Sequence, residues 1–521
     1  MAEPVEGSGG VSAASMFPLS DDKRRVVRLS VVLFLATFLI YWLMGPLRSA
    51  FDFQLSQANN IVHGHLDLVE EYSHNLGILE RVLYDGEGFC LPIDDPRGEA
   101  AAKEIENPRF SADCKHYMQH SLGPALLQVP LAFLFGLTVN QTLVSAFIGA
   151  LTAPIAFGIT RRFSKHLPTQ LALTVLALFG TQFFYSAADG SVWHFAHTTA
   201  VFFTFAAIYA TVVARQPLLA GALVGAAFMC RPTEILAGLF PLVAFSDVWL
   251  PHEPGVSLVR RLRLRPLIEL AAGVAPFVLL TMVLNALRFG SPFETGYSYS
   301  EQIYQLSSRG TYVYGIFDPR YMARHVQVFW EQMPIFATTG AFVWPSWAGL
   351  AMWATSPPLF YGLFVHLRRF RRSALLLGLA VATICGLLLS SALWMGLDLS
   401  TFTPTSAPLG LHLAPFWILV GAAITLAIGT RDRLVVACWA AIIPIIVVNW
   451  LFAATGWAQY GYRYGLDFMP FLWLLVVLAV RRVQWHHALL IGLAVVINLW
   501  AVLWIFKFAP AELFGWTWVS Y

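Results

Sequence analysis

Eleven apolar runs of membrane-spanning character alternate with clusters of basic residues, and this pattern leaves few folds open to the chain. The runs are 27–46, 139–161, 167–186, 193–213, 267–287, 348–367, 373–395, 409–428, 433–454, 466–480 and 485–506. A helix needs about 17–25 such residues to cross the hydrocarbon layer. Only 12% of the 521 residues are charged and 57% are hydrophobic, too few polar side chains to clothe a water-facing surface of this size. Lipid is therefore the expected solvent, and the fold class is an all-α polytopic membrane protein.

The basic clusters give direction. Lys23-Arg24-Arg25, Arg161-Arg162, Arg215, Arg260-Arg261, Arg368-Arg369, Arg431-Arg433 and Arg481-Arg482 fall in every second loop. Short cytoplasmic loops accumulate Lys and Arg, so the amino terminus is expected inside. Parity then resolves two stretches. Residues 216–250 start and end on the inside and must cross twice, with a turn near Arg231-Pro232. Residues 121–137 cannot cross without placing Arg161 outside, so they read as a juxtamembrane helix on the outer surface. The expected total is about 13 spans.

The expected organisation is a disordered cytoplasmic tail, 1–22, followed by one transmembrane domain, 23–521. The soluble mass lies outside, in loop 47–138 with its helix 121–137 and in loop 288–347. No small-residue cleavage site follows the first run, which reads as a retained helix. Cys90 and Cys114 share the first outer loop, either as a disulfide or as two free thiols. No phosphate-cradling or dinucleotide motif occurs on an inner loop, and no nucleic-acid partner is expected.

Polar residues at the outer boundary carry the candidate chemistry. Asp52 follows the first span at headgroup depth, where a water-reachable carboxylate suits a general base for a lipid-borne substrate; a solvated or helix-capping Asp is the plain alternative. Asp189, His194 and His197 surround the start of another span. The two histidines lie three residues apart on one helix face. His194 with Asp189 is the one place where the spacing admits a divalent metal, although a structural pair is the commoner use and no further ligand signature appears. Arg231 interrupts an apolar stretch, with Glu234 one turn on as its inexpensive partner. Alternatively Arg231 faces a membrane-embedded phosphate. Arg288 and Arg463 with Tyr464 mark two further outer turns, and both cations suit an anionic headgroup.

In their order along the chain these segments resemble bacterial polyprenol-phosphate-sugar glycosyltransferases of the GT-C fold, the broad group of protein O-mannosyltransferases and lipid A aminoarabinose transferases. The resemblance rests on FDFQLSQANNIVHGHLDL around Asp52, KHYMQHSLGPALLQVPLAFLFG, GALVGAAFMCRPTEIL, and the pair NALRFGSPFETGY and GYRYGLDFMPFL. It departs at Phe53, where the family carries a second acid, and at His120-Ser121-Leu122, where it carries a Pro pair. The resemblance implies a polyprenyl-phosphate-linked sugar donor and a protein, lipid or polysaccharide acceptor outside a bacterial inner membrane. It implies Asp52 as base and Arg231, with Arg463 and Arg288, on the donor phosphate. Asp189, His194, His197, Gln57, Tyr117, His120, Glu234 and Tyr464 would position substrate. The alternatives are a flippase for lipid-linked sugar, or a ligase or polymerase using a diphosphate-linked oligosaccharide. The nearly uncharged span interiors disfavour a transport path.

Overall fold

The computed structural model describes residues 21–49, 51–74, 81–93, 109–247, 263–300, 314–336, 349–365, 432–456 and 459–508, with short pieces between them. The expected tail and most of the expected spans 373–395 and 409–428 lie outside the described residues. In chain order the helices are α1 (Asp21–Met44), α2 (Phe53–Val62), α3 (Gly123–Phe135), α4 (Gln141–Phe163), α5 (Leu167–Phe179) and α6 (Phe183–Asp189). Then follow α7 (Val192–Tyr209), α8 (Pro217–Cys230), α9 (Leu239–Phe245), α10 (Leu264–Phe289), α11 (Met322–Val326) and α12 (Met352–Thr355). The last are α13 (Arg433–Leu451), α14 (Met469–Ala479) and α15 (Trp485–Leu503).

Among the described residues six helices are long and apolar enough to cross a membrane, or seven if α5 and α6 form one span bent by 55°. The chain is a multi-pass helical membrane protein. Several expected spans are shorter than a bilayer. Residues 216–250 do divide at Arg231, into α8 and a second apolar helical stretch, Pro232–Phe245, because Pro232 has no N–H with which to continue α8. Residues 348–367 form α12 and 3₁₀ turns over Pro357–Phe364 rather than a long helix. The Pro357-Pro358 pair there cannot supply the hydrogen bonds of a helix interior.

Burial separates lipid-facing from packed helices. Only 11% of the apolar stretch in α1 is buried, against 72% in the span that begins with α7. Two large buried side chains of the core place their polar atoms on backbone carbonyls: the Tyr41 hydroxyl donates to Leu178 at 2.8 Å and Trp473 Nε1 to Leu173 at 2.7 Å. Helix α3 packs Ala125 and Ala132 with Leu55 and Ala58 of α2 while Phe133, Leu134 and Phe135 stay exposed, as befits a helix lying at a lipid interface.

Two glycines set the contact of α8 with α10. A Cβ on Gly221 would meet the Leu270 carbonyl oxygen at 2.1 Å, and one on Gly273 would meet that of Leu218 at 2.2 Å. With no solvent to drive helices together in lipid, such close backbone approach supplies the packing. Gly221→Val is expected to cost about 1–3 kcal/mol of stability by overpacking. A thermal unfolding midpoint in detergent equal to that of the parent would refute this contact.

Outside the bundle, β1 (Arg81–Tyr84) pairs antiparallel with the strand Lys115–Met118, and a disulfide joins Cys90 to Cys114. The bonded alternative is thus the one the structure adopts.

Candidate functional site

Four chain segments meet around Asp467, which is not among the residues expected from the sequence. Its carboxylate is fully buried. Arg231 donates to it twice, Nε to Oδ1 at 2.7 Å and Nη2 to Oδ2 at 2.9 Å. The Thr233 hydroxyl and the Asn449 amide also donate to Oδ2, at 3.1 and 3.0 Å. His197 Nδ1 sits 3.1 Å from Oδ1, without hydrogen-bond alignment. The fork of a guanidinium matches a carboxylate in this manner, and the extra donors satisfy the remaining lone pairs. Arg231 therefore pairs with Asp467, not with its sequence neighbour Glu234. Glu234 is fully buried and accepts from Thr204 at 3.0 Å, so it offers no exposed surface to a substrate.

Tyr464 lies between two cations. The guanidinium carbons of Arg231 and Arg463 are each 5.5 Å from its ring centroid, a distance at which the ring face attracts positive charge. Arg463 also lies close enough for its charge to act on Tyr185, whose ring meets that of His194 edge-on at 4.9 Å.

His194 and His197 leave one face of α7 for different carboxylates. His194 Nδ1 is 2.7 Å from Asp189 Oδ2, and Ser191 bonds both partners. The turn that aims them depends on Gly190. Its φ is +68° and a Cβ there would meet the Thr142 backbone at 2.5 Å, so a larger residue is excluded twice over. His194 Nε2 is buried and makes no hydrogen bond. Asp189 and His194 thus bind each other, and no group of three or more His, Cys, Asp and Glu among the described residues is arranged to hold a metal.

Asp52 occupies the N-cap position of α2 without a side-chain capping bond, close to the Asp189 turn: the Val192 N–H donates to the Phe51 carbonyl at 2.8 Å and Gln54 donates to the Val192 carbonyl at 2.6 Å. Its Oδ2 lies 3.2 Å from both Arg48 Nη2 and His74 Nδ1, leaving Oδ1 the freer oxygen, 3.4 Å from the same imidazole. The His74 side chain is one-third exposed, so this pair communicates with solvent. Gln57, also on α2, turns its amide to the Leu66 carbonyl at 3.2 Å and braces the following loop.

Three expected residues gather elsewhere. Tyr117 packs on Phe289, and Arg288 and His120 line one small cavity away from Asp467.

Next to the polar cluster lies an apolar cavity of about 290 Å³, whose walls include Trp330, Phe360, Trp439, Trp450, Phe468 and Leu472. Asn449 and Asp467 belong to the polar cluster while the next residues, Trp450 and Phe468, line the cavity.

His325, on α11, holds one flank of this region. Its Nε2 donates to the Phe452 carbonyl at 2.8 Å, so Nδ1 accepts from the Tyr462 hydroxyl at 2.7 Å. Burial, aided by the charge of Arg324, pushes the imidazole down to about 4 against the pull of that carbonyl. The unfolded chain takes up this proton near pH 6.5, before the folded one does. The contribution is therefore complete above about 6.5 and lost as pH falls toward 4, a drop of about 3 kcal/mol. Unfolding midpoints measured across that window should fall less in His325→Gln than in the parent, and parallel curves would contradict the assignment.

No protein-family model matches the chain, and no curated protein matches it. Among solved structures it is similar to the crystal structure of ArnT from Cupriavidus metallidurans bound to undecaprenyl phosphate. The two share 14% identity, the alignment covers 89% of this chain and 63% of that one, and the TM-score is 0.39.

Proposed function

We propose that the chain is an inverting glycosyltransferase that moves a sugar from a polyprenyl-phosphate carrier to an acceptor on the outer face of a bacterial inner membrane. One observation carries this reading: a polar cluster flanked by two guanidinium groups shares its elements, residue by adjacent residue, with an apolar cavity. An amphiphile with an anionic head and an isoprenoid tail meets both requirements at once. The orientation is supported by the opposite end of the bundle, where Ser164 meets the Arg481 carbonyl and Arg433 meets Asp247 and the Ala244 carbonyl. Basic residues concentrate there, as they do on a cytoplasmic face.

In this mechanism Asp52 removes the proton of the acceptor hydroxyl through its freer oxygen, with His74 and Arg48 fixing the carboxylate. The acceptor oxygen attacks the anomeric carbon, and the bond to the carrier phosphate breaks with both electrons leaving on the phosphate. Arg463, with the exposed edge of Arg231, stabilises that growing charge. Asp467 orients Arg231, and His194, held by Asp189, positions the sugar.

The test is transfer of label from a panel of synthetic polyprenyl-phosphate sugars by the full chain in nanodiscs. Turnover of one donor, lost in Asp52→Asn, supports the reading. Movement of lipid-linked sugar between leaflets without transfer to any acceptor would replace it with a flippase.

A further inference from the structure

The end of α10 holds a cation that the transfer mechanism does not use. Arg288 is only 7% exposed. Its Nη2 donates to Asn285 Oδ1 at 2.8 Å and its guanidinium lies 4.8 Å from the Phe289 ring centroid, so both contacts fix its orientation without neutralising it. Its Nε is buried with no hydrogen-bond partner. Among the described residues no carboxylate forms an ion pair with Arg288. Glu294, the nearest acid along the chain, accepts instead from the Gly296 N–H and the Ser298 hydroxyl of its own turn. A buried cation with an unused donor is costly unless something else completes it.

The cavity beside Arg288 is lined by Gln119, His120, Ser121, Asn285, Tyr297 and Gly123, the first residue of α3. Helix α3 runs for 13 residues from an N-cap, Leu122, that offers no side-chain acceptor. Gly123, its first residue, lines the same cavity, and the positive end of the helix dipole lies there; Pro124 has no N–H, so the first turn offers those of Gly123 and Ala125. The start of a helix and a buried guanidinium that no described carboxylate pairs with thus line one cavity. None of the residues that bond Asp467 lines it.

The geometry points to an oxyanion site here, for a phosphate or carboxylate group, separate from the Asp467 cluster. The Arg288 guanidinium, which lines the cavity, donates to the anion, Asn285 fixes its orientation, and the Gly123 end of α3 adds backbone N–H and the helix dipole. The site does not depend on the transfer reaction, and its test does not read activity.

The full chain in nanodiscs of neutral lipid is titrated with inorganic phosphate against chloride at matched ionic strength, following the thermal midpoint. The parent is expected to gain stability in phosphate. Arg288→Gln should weaken the dissociation constant by about tenfold or more. Ser121→Trp, which fills the cavity and leaves the charge in place, should abolish the response and carries the test if Arg288→Gln does not fold. A second arm uses geranyl phosphate. Much tighter binding than inorganic phosphate, lost in the same variants, assigns the anion to a lipid headgroup; equal binding assigns it to a soluble ligand. Identical midpoints in phosphate and chloride for the parent, or an undiminished response in both variants, would overturn the site.

Discussion

Asp52→Asn is expected to lower transfer from the preferred polyprenyl-phosphate sugar by about 10²–10⁴-fold in turnover, the range general-base catalysis supplies. The amide keeps the shape of the side chain and can still accept from Arg48 and His74. It cannot take up a proton, so the loss should fall on kcat while the apparent affinity for the carrier holds. Carrier binding is proposed to depend on Arg463, Tyr464 and the apolar cavity, which belong to other segments. Single-turnover kinetics with saturating donor separate the two effects. A turnover within threefold of the parent would remove Asp52 from the role of base. Asp189 would then become the next carboxylate to test, because its turn is bonded to the Asp52 segment.

The second large effect concerns stability. Asp467→Ala should destabilise the protein by about 3–5 kcal/mol, the cost of leaving a buried charge without its partner. Arg231 would lose both of its hydrogen bonds to the carboxylate, and Thr233 and Asn449 would lose their shared acceptor. Removing both charges behaves differently. Arg231→Met with Asp467→Leu should recover much of the loss, since apolar side chains of similar volume often replace a buried ion pair at little cost. Thermal unfolding in nanodiscs completes the double-mutant cycle, and additive single effects would show that the pair is not coupled. The double variant should still fail in transfer, because Arg231 also flanks Tyr464.

What could be read from the chain was what depends on local composition. Apolar runs report lipid directly, because each helix satisfies its own backbone and needs only length and hydropathy to cross. The break at Arg231-Pro232 was legible because proline acts on its own helix, and α3 is the helix expected over 121–137, too short to be one of the long spans. The prominence of Asp52, Asp189, His194, Arg231 and Arg463 followed from the expense of charge near hydrocarbon.

Pairing was a different matter. Arg231 and Asp467 are separated by 236 positions, and Glu234, three residues away, was the nearer acid in sequence. An available signal was Asp467 itself, an acid opening an apolar run at the depth of Arg231 and opposite to it in sign. The histidines at 194 and 197 share a helix face, yet they go to carboxylates from different segments. Arg288 carried the same sequence credentials as Arg231 and Arg463, but the packing of α10 put it in another cavity beside the start of α3. The sequence by itself determined a multi-pass helical protein and which side chains were too costly to be incidental. Only the tertiary structure decided which charges neutralise one another, because that choice depends on the distances between segments that meet when helices pack.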